Sequence, residues 1–207
     1  MRFRKVIFLL IMVVAFVTAC GKPSDEKAYY KAHKKMMEME SYQTIAQVTS
    51  YVGDSTREYR FNQMFQYPDK YRSEVISPRS LEGNVTVYNG RVVWIKHASI
   101  NQIWKMDNFE QSNEQLLFVG HFLKNFINSE TSNYHKEKIN GQNSIVITTE
   151  VPGGNPHFYK QKLWVRIGNY TPIQLSVMDE QEKTKFEVHF EDFKINPRLD
   201  EKLFYLD

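Results

Sequence analysis

The sequence predicts an α+β fold: a strongly curved antiparallel sheet of about eleven strands, an incomplete β-barrel, with helices covering its concave side. Three observations carry this reading. Short segments alternating apolar with polar residues recur through most of the chain, separated by turn dipeptides such as Gly53-Asp54, Asn89-Gly90 and Asn140-Gly141. Only two segments show a helical period, one ahead of the strands and one in their middle. A sheet of so many strands must curl on its own twist, and one face of a curled sheet has to be covered.

Taken in order, the chain opens on Arg2, Arg4 and Lys5, an apolar run over 6–17, then Thr18, Ala19 and the chain's single cysteine, Cys20. About twelve apolar residues are too few to cross a ~30 Å hydrocarbon core as a helix, and the pattern is that of a secretory signal. Val17-Thr18-Ala19-Cys20 resembles a bacterial lipobox, which implies a diacylglyceryl group on the Cys20 thiol and cleavage before it. An ordinary signal peptide with a stray cysteine is the alternative. The expected organisation is a lipoprotein signal peptide over 1–19, a lipidated tether over 20–26 and one folded domain over 27–207. The domain would then stand on the outer side of a bacterial membrane, since two or more acyl chains hold a protein stably on a bilayer.

Charge supports a solvated surface rather than a polyelectrolyte partner. The full chain has 27 Lys and Arg against 24 Asp and Glu; without Arg2, Arg4 and Lys5 the balance is 24 against 24. Such a chain has no electrostatic footprint for nucleic acid. With Cys20 committed to lipid, no cysteine is left for a disulfide, a thiol nucleophile or a metal site.

The first helix is expected over 27–40, where Tyr29, Ala32, Met36 and Met39 form one stripe. Strands are expected over 43–52, 57–66, 70–76, 85–88, 91–96 and 101–106. Asn89-Gly90 has the residues a two-residue type I′ hairpin needs, because both tolerate positive φ. Ser112-Asn113-Glu114-Gln115 reads as a capping box opening a second helix, along which Leu116, Val119, Leu123 and Phe126 recur with Leu117, Phe118, Phe122 and Ile127. That apolar face is too wide for a surface helix, so the helix should plug the concave sheet. Strands resume over 134–139, 144–150, 158–167 and 173–178. In the last one Phe186, Val188 and Phe190 point inward and Lys185, Glu187, His189 and Glu191 outward. The tail 197–207, with Leu203, Phe204 and Leu206, should dock on the sheet edge.

The residue patterns of catalysis are missing from the sequence. His33, His97, His121, His135, His157 and His189 show no H-E-x-x-H or other ligand spacing, although His135 and His189 could meet across strands. Glu187 with Glu191, and Glu191 with Asp192, lie on a regular strand whose outward side is solvated, whereas an acid–base pair needs unequal environments. There is no Gly-x-Ser-x-Gly elbow, and Gly153-Gly154 lacks the strand–loop–helix context of a phosphate cradle. The sequence therefore predicts a protein that is not an enzyme, with no cofactor and no metal.

Three stretches carry a resemblance that covers nearly the whole expected domain. Phe65-Gln66-Tyr67-Pro68-Asp69-Lys70-Tyr71-Arg72 resembles a "P-x-x-[FY]-R" corner, and Tyr88-Asn89-Gly90-Arg91-Val92-Val93-Trp94 a "dG-x-x-[LV]-W" hairpin. Leu163-Trp164-Val165, then Pro172-Ile173-Gln174-Leu175, Phe186-Glu187-Val188-His189-Phe190 and finally Leu203-Phe204 follow in the matching order. The chain thus resembles the LolA/LolB/RseB superfamily of bacterial lipoprotein carriers and envelope regulators, which implies an incomplete barrel with helices across its mouth. More narrowly it is similar to the GerS-type spore-germination lipoproteins of clostridia. That resemblance implies a non-catalytic accessory protein supporting a partner enzyme, an N-acetylmuramoyl-L-alanine amidase acting on cortex peptidoglycan, on the cortex side of the forespore membrane. The alternative it implies is a carrier or sensor of lipids or lipoproteins. For that, Trp94, Trp104, Phe118, Phe122 and Phe126 would line an apolar cavity; equally, they could fill the half-barrel solid. The long sheet edges also leave a homodimer formed by strand exchange open.

Overall fold

The computed structural model describes residues 24–107, 112–129, 132–153 and 156–206. Its centre is an eleven-stranded, wholly antiparallel sheet, in the order β6-β5-β4-β3-β2-β1-β11-β10-β9-β8-β7. The strands are β1 (Ser41–Val52), β2 (Ser55–Gln66), β3 (Lys70–Ser77), β4 (Val85–Tyr88), β5 (Val92–His97) and β6 (Gln102–Asp107), then β7 (Ser132–Ile139), β8 (Gln142–Glu150), β9 (Lys160–Arg166), β10 (Pro172–Met178) and β11 (Thr184–Ile195). Two meanders run outward from the central β1–β11 pair, so β6 and β7 are the two ends and the barrel stays open. Register shifts in β1–β11, β2–β3, β9–β10 and β10–β11 add local bends, which raise the curvature that twist already imposes.

The turns follow the residues that make them, with one exchange. At Asn140-Gly141 both residues have positive φ, 48° and 78°, and Ile139 faces Gln142 directly, so the type I′ geometry occurs here. At Asn89-Gly90 only Gly90 is left-handed, with φ 95°. There the Asn89 side chain bends the chain by accepting from the N–H groups of Arg91 (3.1 Å) and Val92 (2.9 Å), an Asx turn that competes with the I′ form.

Helix α1 spans Asp25–Met37, two residues earlier at its start and three at its end than its apolar stripe suggested. Ser24 caps it by accepting from the Lys27 N–H, while Asp25 and Glu26 open it and Lys34 and Lys35 close it, charges that suit the helix dipole. Ala28, Ala32 and Met36 form its buried face. The second helix, α2 (Val119–Asn128), crosses the concave side between the meanders. The expected capping box does not form: Ser112 makes no side-chain cap and residues 113–117 are a 3₁₀ turn. Phe118 is extended, and α2 starts only after it. The reason is tertiary, because the first α2 N–H, of Val119, is taken by the hydroxyl of Tyr42 on β1 at 3.1 Å.

The main core joins the two halves of the concave face through α2. Tyr42, Phe65, Tyr71, Ile145, Ile147, Leu163, Leu175 and Val188 pack around Phe118, Val119, Phe122 and Leu123. A smaller core lies on the other face of β4 and β5, where Val85, Val87, Val92 and Trp94 receive Phe204, with Leu199, Leu203 and Leu206 around it. The tail therefore covers a sheet face, not the edge. Alternation on β4 and β5 makes both faces apolar, and only one is served by α2.

Candidate functional site

Polar side chains gather at the mouth of the half-barrel, where α2, the β2–β3 corner and residues 151–153 enclose a cavity of about 470 Å³. Asp69 comes from the corner, His121, Lys124 and Asn125 from successive turns of α2, and Gln115 from the preceding 3₁₀ turn. Lys124 Nζ meets Asp69 Oδ1 at 2.8 Å. Asn125 donates to Gln161 Oε1 and Gln161 donates to the Leu116 carbonyl, each at 2.8 Å, so a fully buried β9 amide fixes the helix and the turn before it.

Among the described residues, the buried Nε2 of His121 has no hydrogen-bond partner. Its ring stands edge-on to Phe65 and Tyr71. Burial pushes its pKa down to about 4, with Asp69 and Lys124 acting in opposite senses, so the ring is neutral at physiological pH. Nearby, Glu114 is held by the hydroxyls of Ser73 and Thr86, yet burial still raises its pKa. The arrangement rigidifies the mouth. Asp69 is committed to Lys124 there.

A second, more apolar cavity of about 290 Å³ flanks α2 on the α1 side, lined by Met36, Met39, Phe65, Leu123 and Ile127 among others. Gly120 and Phe65 both line it, and there the α2 backbone lies directly against the Phe65 ring.

The aromatic residues singled out from the sequence are not brought together as one lining. Phe118 and Phe122 are fully buried in the main core, where they fill the half-barrel. Phe126 is half-buried and stacks on Phe122. Trp94 lies on the other face, in the small core beneath the tail, because Val93 takes the inward position on β5. Trp104, on β6, is 47% exposed and meets only the edge of His97 among the aromatic rings described. Cys20 and the signal segment lie outside the described residues, as do Gly154 and Asn155. His135 and His189 do not meet: β8, β9 and β10 separate their strands. His135 neighbours Glu137 at 3.5 Å, and His189 pairs with Glu187 at 2.7 Å. Among the described residues no group of three or more His, Cys, Asp or Glu is placed to hold a metal ion. The polar mouth was missed in sequence because its members are scattered from 69 to 161. His121 alone left a signal, between Phe118 and Phe122 on the inward side of α2.

An open antiparallel sheet plugged by a helix defines the class of fold, the one expected from the sequence motifs. The chain belongs to the sporulation protein YdcC-like family, whose model matches residues 2–204. Sporulation protein YdcC of Bacillus subtilis is 21% identical over 195 residues, covering 94% of this chain and 57% of YdcC. The chain thus spans little more than half the length of that relative. Among solved structures, an uncharacterized conserved protein from Thermus thermophilus is similar with a TM-score of 0.54 and 16% identity, over 88% of this chain and 93% of that one. A chain of the CwlD amidase complex with the GerS lipoprotein from Clostridioides difficile is 28% identical, over 84% of this chain and 97% of that one, with a TM-score of 0.49.

Proposed function

We propose that this chain is a membrane-anchored, extracytoplasmic lipoprotein of spore formers, acylated at Cys20. In this reading it is a non-catalytic accessory protein supporting a cell-wall amidase that acts on cortex peptidoglycan. The observation that carries the reading is membership of the sporulation family over residues 2–204. The lipobox-like Val17-Thr18-Ala19-Cys20 supports the anchor. A half-barrel whose concave side is occupied by its own Phe118 and Phe122 favours work through an outer surface over carriage of an acyl chain inside. The amidase partner follows from the resemblance to spore-germination lipoproteins. Affinity capture of the full chain from detergent-solubilised membranes of sporulating cells tests this. An N-acetylmuramoyl-L-alanine amidase should be enriched; recovery without any cell-wall hydrolase, or cleavage of peptidoglycan by the purified chain alone, would overturn it.

A further inference from the structure

We propose that Asn140-Gly141 is a site of spontaneous covalent modification, where the folded chain converts Asn140 to aspartate and isoaspartate while Asn89-Gly90 is spared. The two dipeptides are identical in sequence and both join hairpin strands, so a difference between them comes from the fold. The reaction needs only water. The backbone nitrogen of Gly141 gives up its proton and bonds to Asn140 Cγ. The bond from Cγ to the side-chain nitrogen breaks, and that nitrogen takes up a proton and leaves as ammonia. The five-membered imide so formed then opens by hydrolysis: the hydroxyl of water goes to one ring carbonyl and its proton to the ring nitrogen. Which carbonyl is attacked decides between aspartate and isoaspartate. No electrons are exchanged with any other reactant.

The turn at Asn140-Gly141 suits that ring closure. Both residues are exposed, the ladder ends beside them at the Ile139–Gln142 pair, and a Cβ on Gly141 would meet nothing within 4 Å. Closing the ring fixes the backbone rotation of residue 140 at the value found in the first position of a type II′ turn, about +60° in φ and −120° in ψ. Asn140 already has φ 48°. Only the peptide between it and Gly141 has to turn over, and glycine accepts the reversed φ that results. Types I′ and II′ both fit a two-residue hairpin loop, so β7 and β8 keep their register while the ring exists. At Asn89 the same closure is opposed twice. Its φ lies outside the left-handed region, and its side-chain oxygen is held by the N–H groups of Arg91 and Val92 at 3.1 and 2.9 Å. Those bonds must be released before Cγ can approach the Gly90 nitrogen, whereas no hydrogen bond among the described residues holds the Asn140 carboxamide. The carboxylate produced at residue 140 arises beside a cavity of about 160 Å³ that Arg166 also lines, so a cation stands where the new negative charge appears.

Incubation of the purified full chain in warm, mildly alkaline buffer, followed over weeks by peptide mapping with mass spectrometry, tests this independently of any lipid or amidase. The peptide holding residue 140 should gain the mass of OH exchanged for NH2 and separate into an aspartate and an isoaspartate form. The peptide holding residue 89 should convert at least tenfold more slowly, which is about 1.4 kcal/mol of barrier. In concentrated urea, where both turns are lost, the two rates should draw together. Raising the pH should speed the conversion of residue 140, because the attacking nitrogen has to lose its proton. Survival of Asn140 in the folded chain, conversion no faster than at Asn89, a gap of the same size in urea, or a rate indifferent to pH would each overturn the proposal.

Discussion

The hydroxyl of Tyr42 accepts a 3.1 Å hydrogen bond from the backbone N–H of Val119, 77 residues further along the chain. Both residues are fully buried, and the Tyr42 ring is stacked between Phe65 and Phe193. Burial holds the phenol far above its ordinary pKa, so it stays neutral. The contact fixes where α2 begins and ties the plug to the central strand. Tyr42→Phe keeps the ring and leaves the Val119 N–H enclosed without a partner, which costs about 1–3 kcal/mol. Urea unfolding should show a lower midpoint with an unchanged slope.

Gly120 is the other fixed point of α2. A Cβ there would overlap the ring atoms of Phe65, although the backbone itself is ordinary helix. Gly120→Ala should therefore destabilise by roughly 1–3 kcal/mol, in contrast to the gain expected from replacing a helical glycine at an open position. Combining it with Phe65→Leu should recover part of the loss, a coupling that a double-mutant cycle on unfolding free energies measures directly.

His121 gives the fold an acid sensitivity of known sign. Its pKa is about 4 in the folded protein against an ordinary 6.5, so between those values the unfolded chain binds the extra proton. Stability from this group is full above about pH 6.5 and falls as the pH approaches 4, by a total on the order of 3 kcal/mol. His121→Gln loses packing against Phe65 and Tyr71 and lowers stability at all pH values. The diagnostic change is in slope: the fall between pH 6.5 and 4 should be shallower in the variant.

His189 behaves oppositely. Its hydrogen bond with Glu187 raises the imidazole pKa, and the same bond lowers that of the carboxyl. The imidazole's contribution is full below its unfolded pKa and is lost as the pH rises through its raised folded value. The carboxylate's contribution is lost as the pH falls through its lowered value. The pair is thus most favourable between the two folded pKa values. NMR titration should find His189 protonating at higher pH than His121, and Glu187→Gln should bring His189 back toward its ordinary value. An unchanged His189 titration in that variant would contradict the pairing.

The strands were readable because each carries its own alternation and its own turn residues, as β11 does with Phe186, Val188 and Phe190. What alternation does not specify is which face is concave. On β5, Val92 and Trp94 are as apolar as Val93 and Ile95, and only the arrival of Phe204 on one side and α2 on the other tells them apart. Local signals also lose to distant ones. Ser112 has the makings of a cap, yet α2 begins where Tyr42 meets it, and nothing near Val119 in the sequence marks that partner. The charges at the mouth have the same character, since Asp69 and Lys124 are 55 residues apart.

In the function proposed above, a lipid on Cys20 would hold the folded domain at a membrane, where it works by contact. Fractionation of sporulating cells that express the parent chain or Cys20→Ala tests it most directly, with thermal unfolding of each purified protein as the control for folding. The account predicts that the parent chain sediments with membranes and that the variant is released in folded form with the same melting temperature. A Cys20→Ala variant still bound to membranes would contradict it.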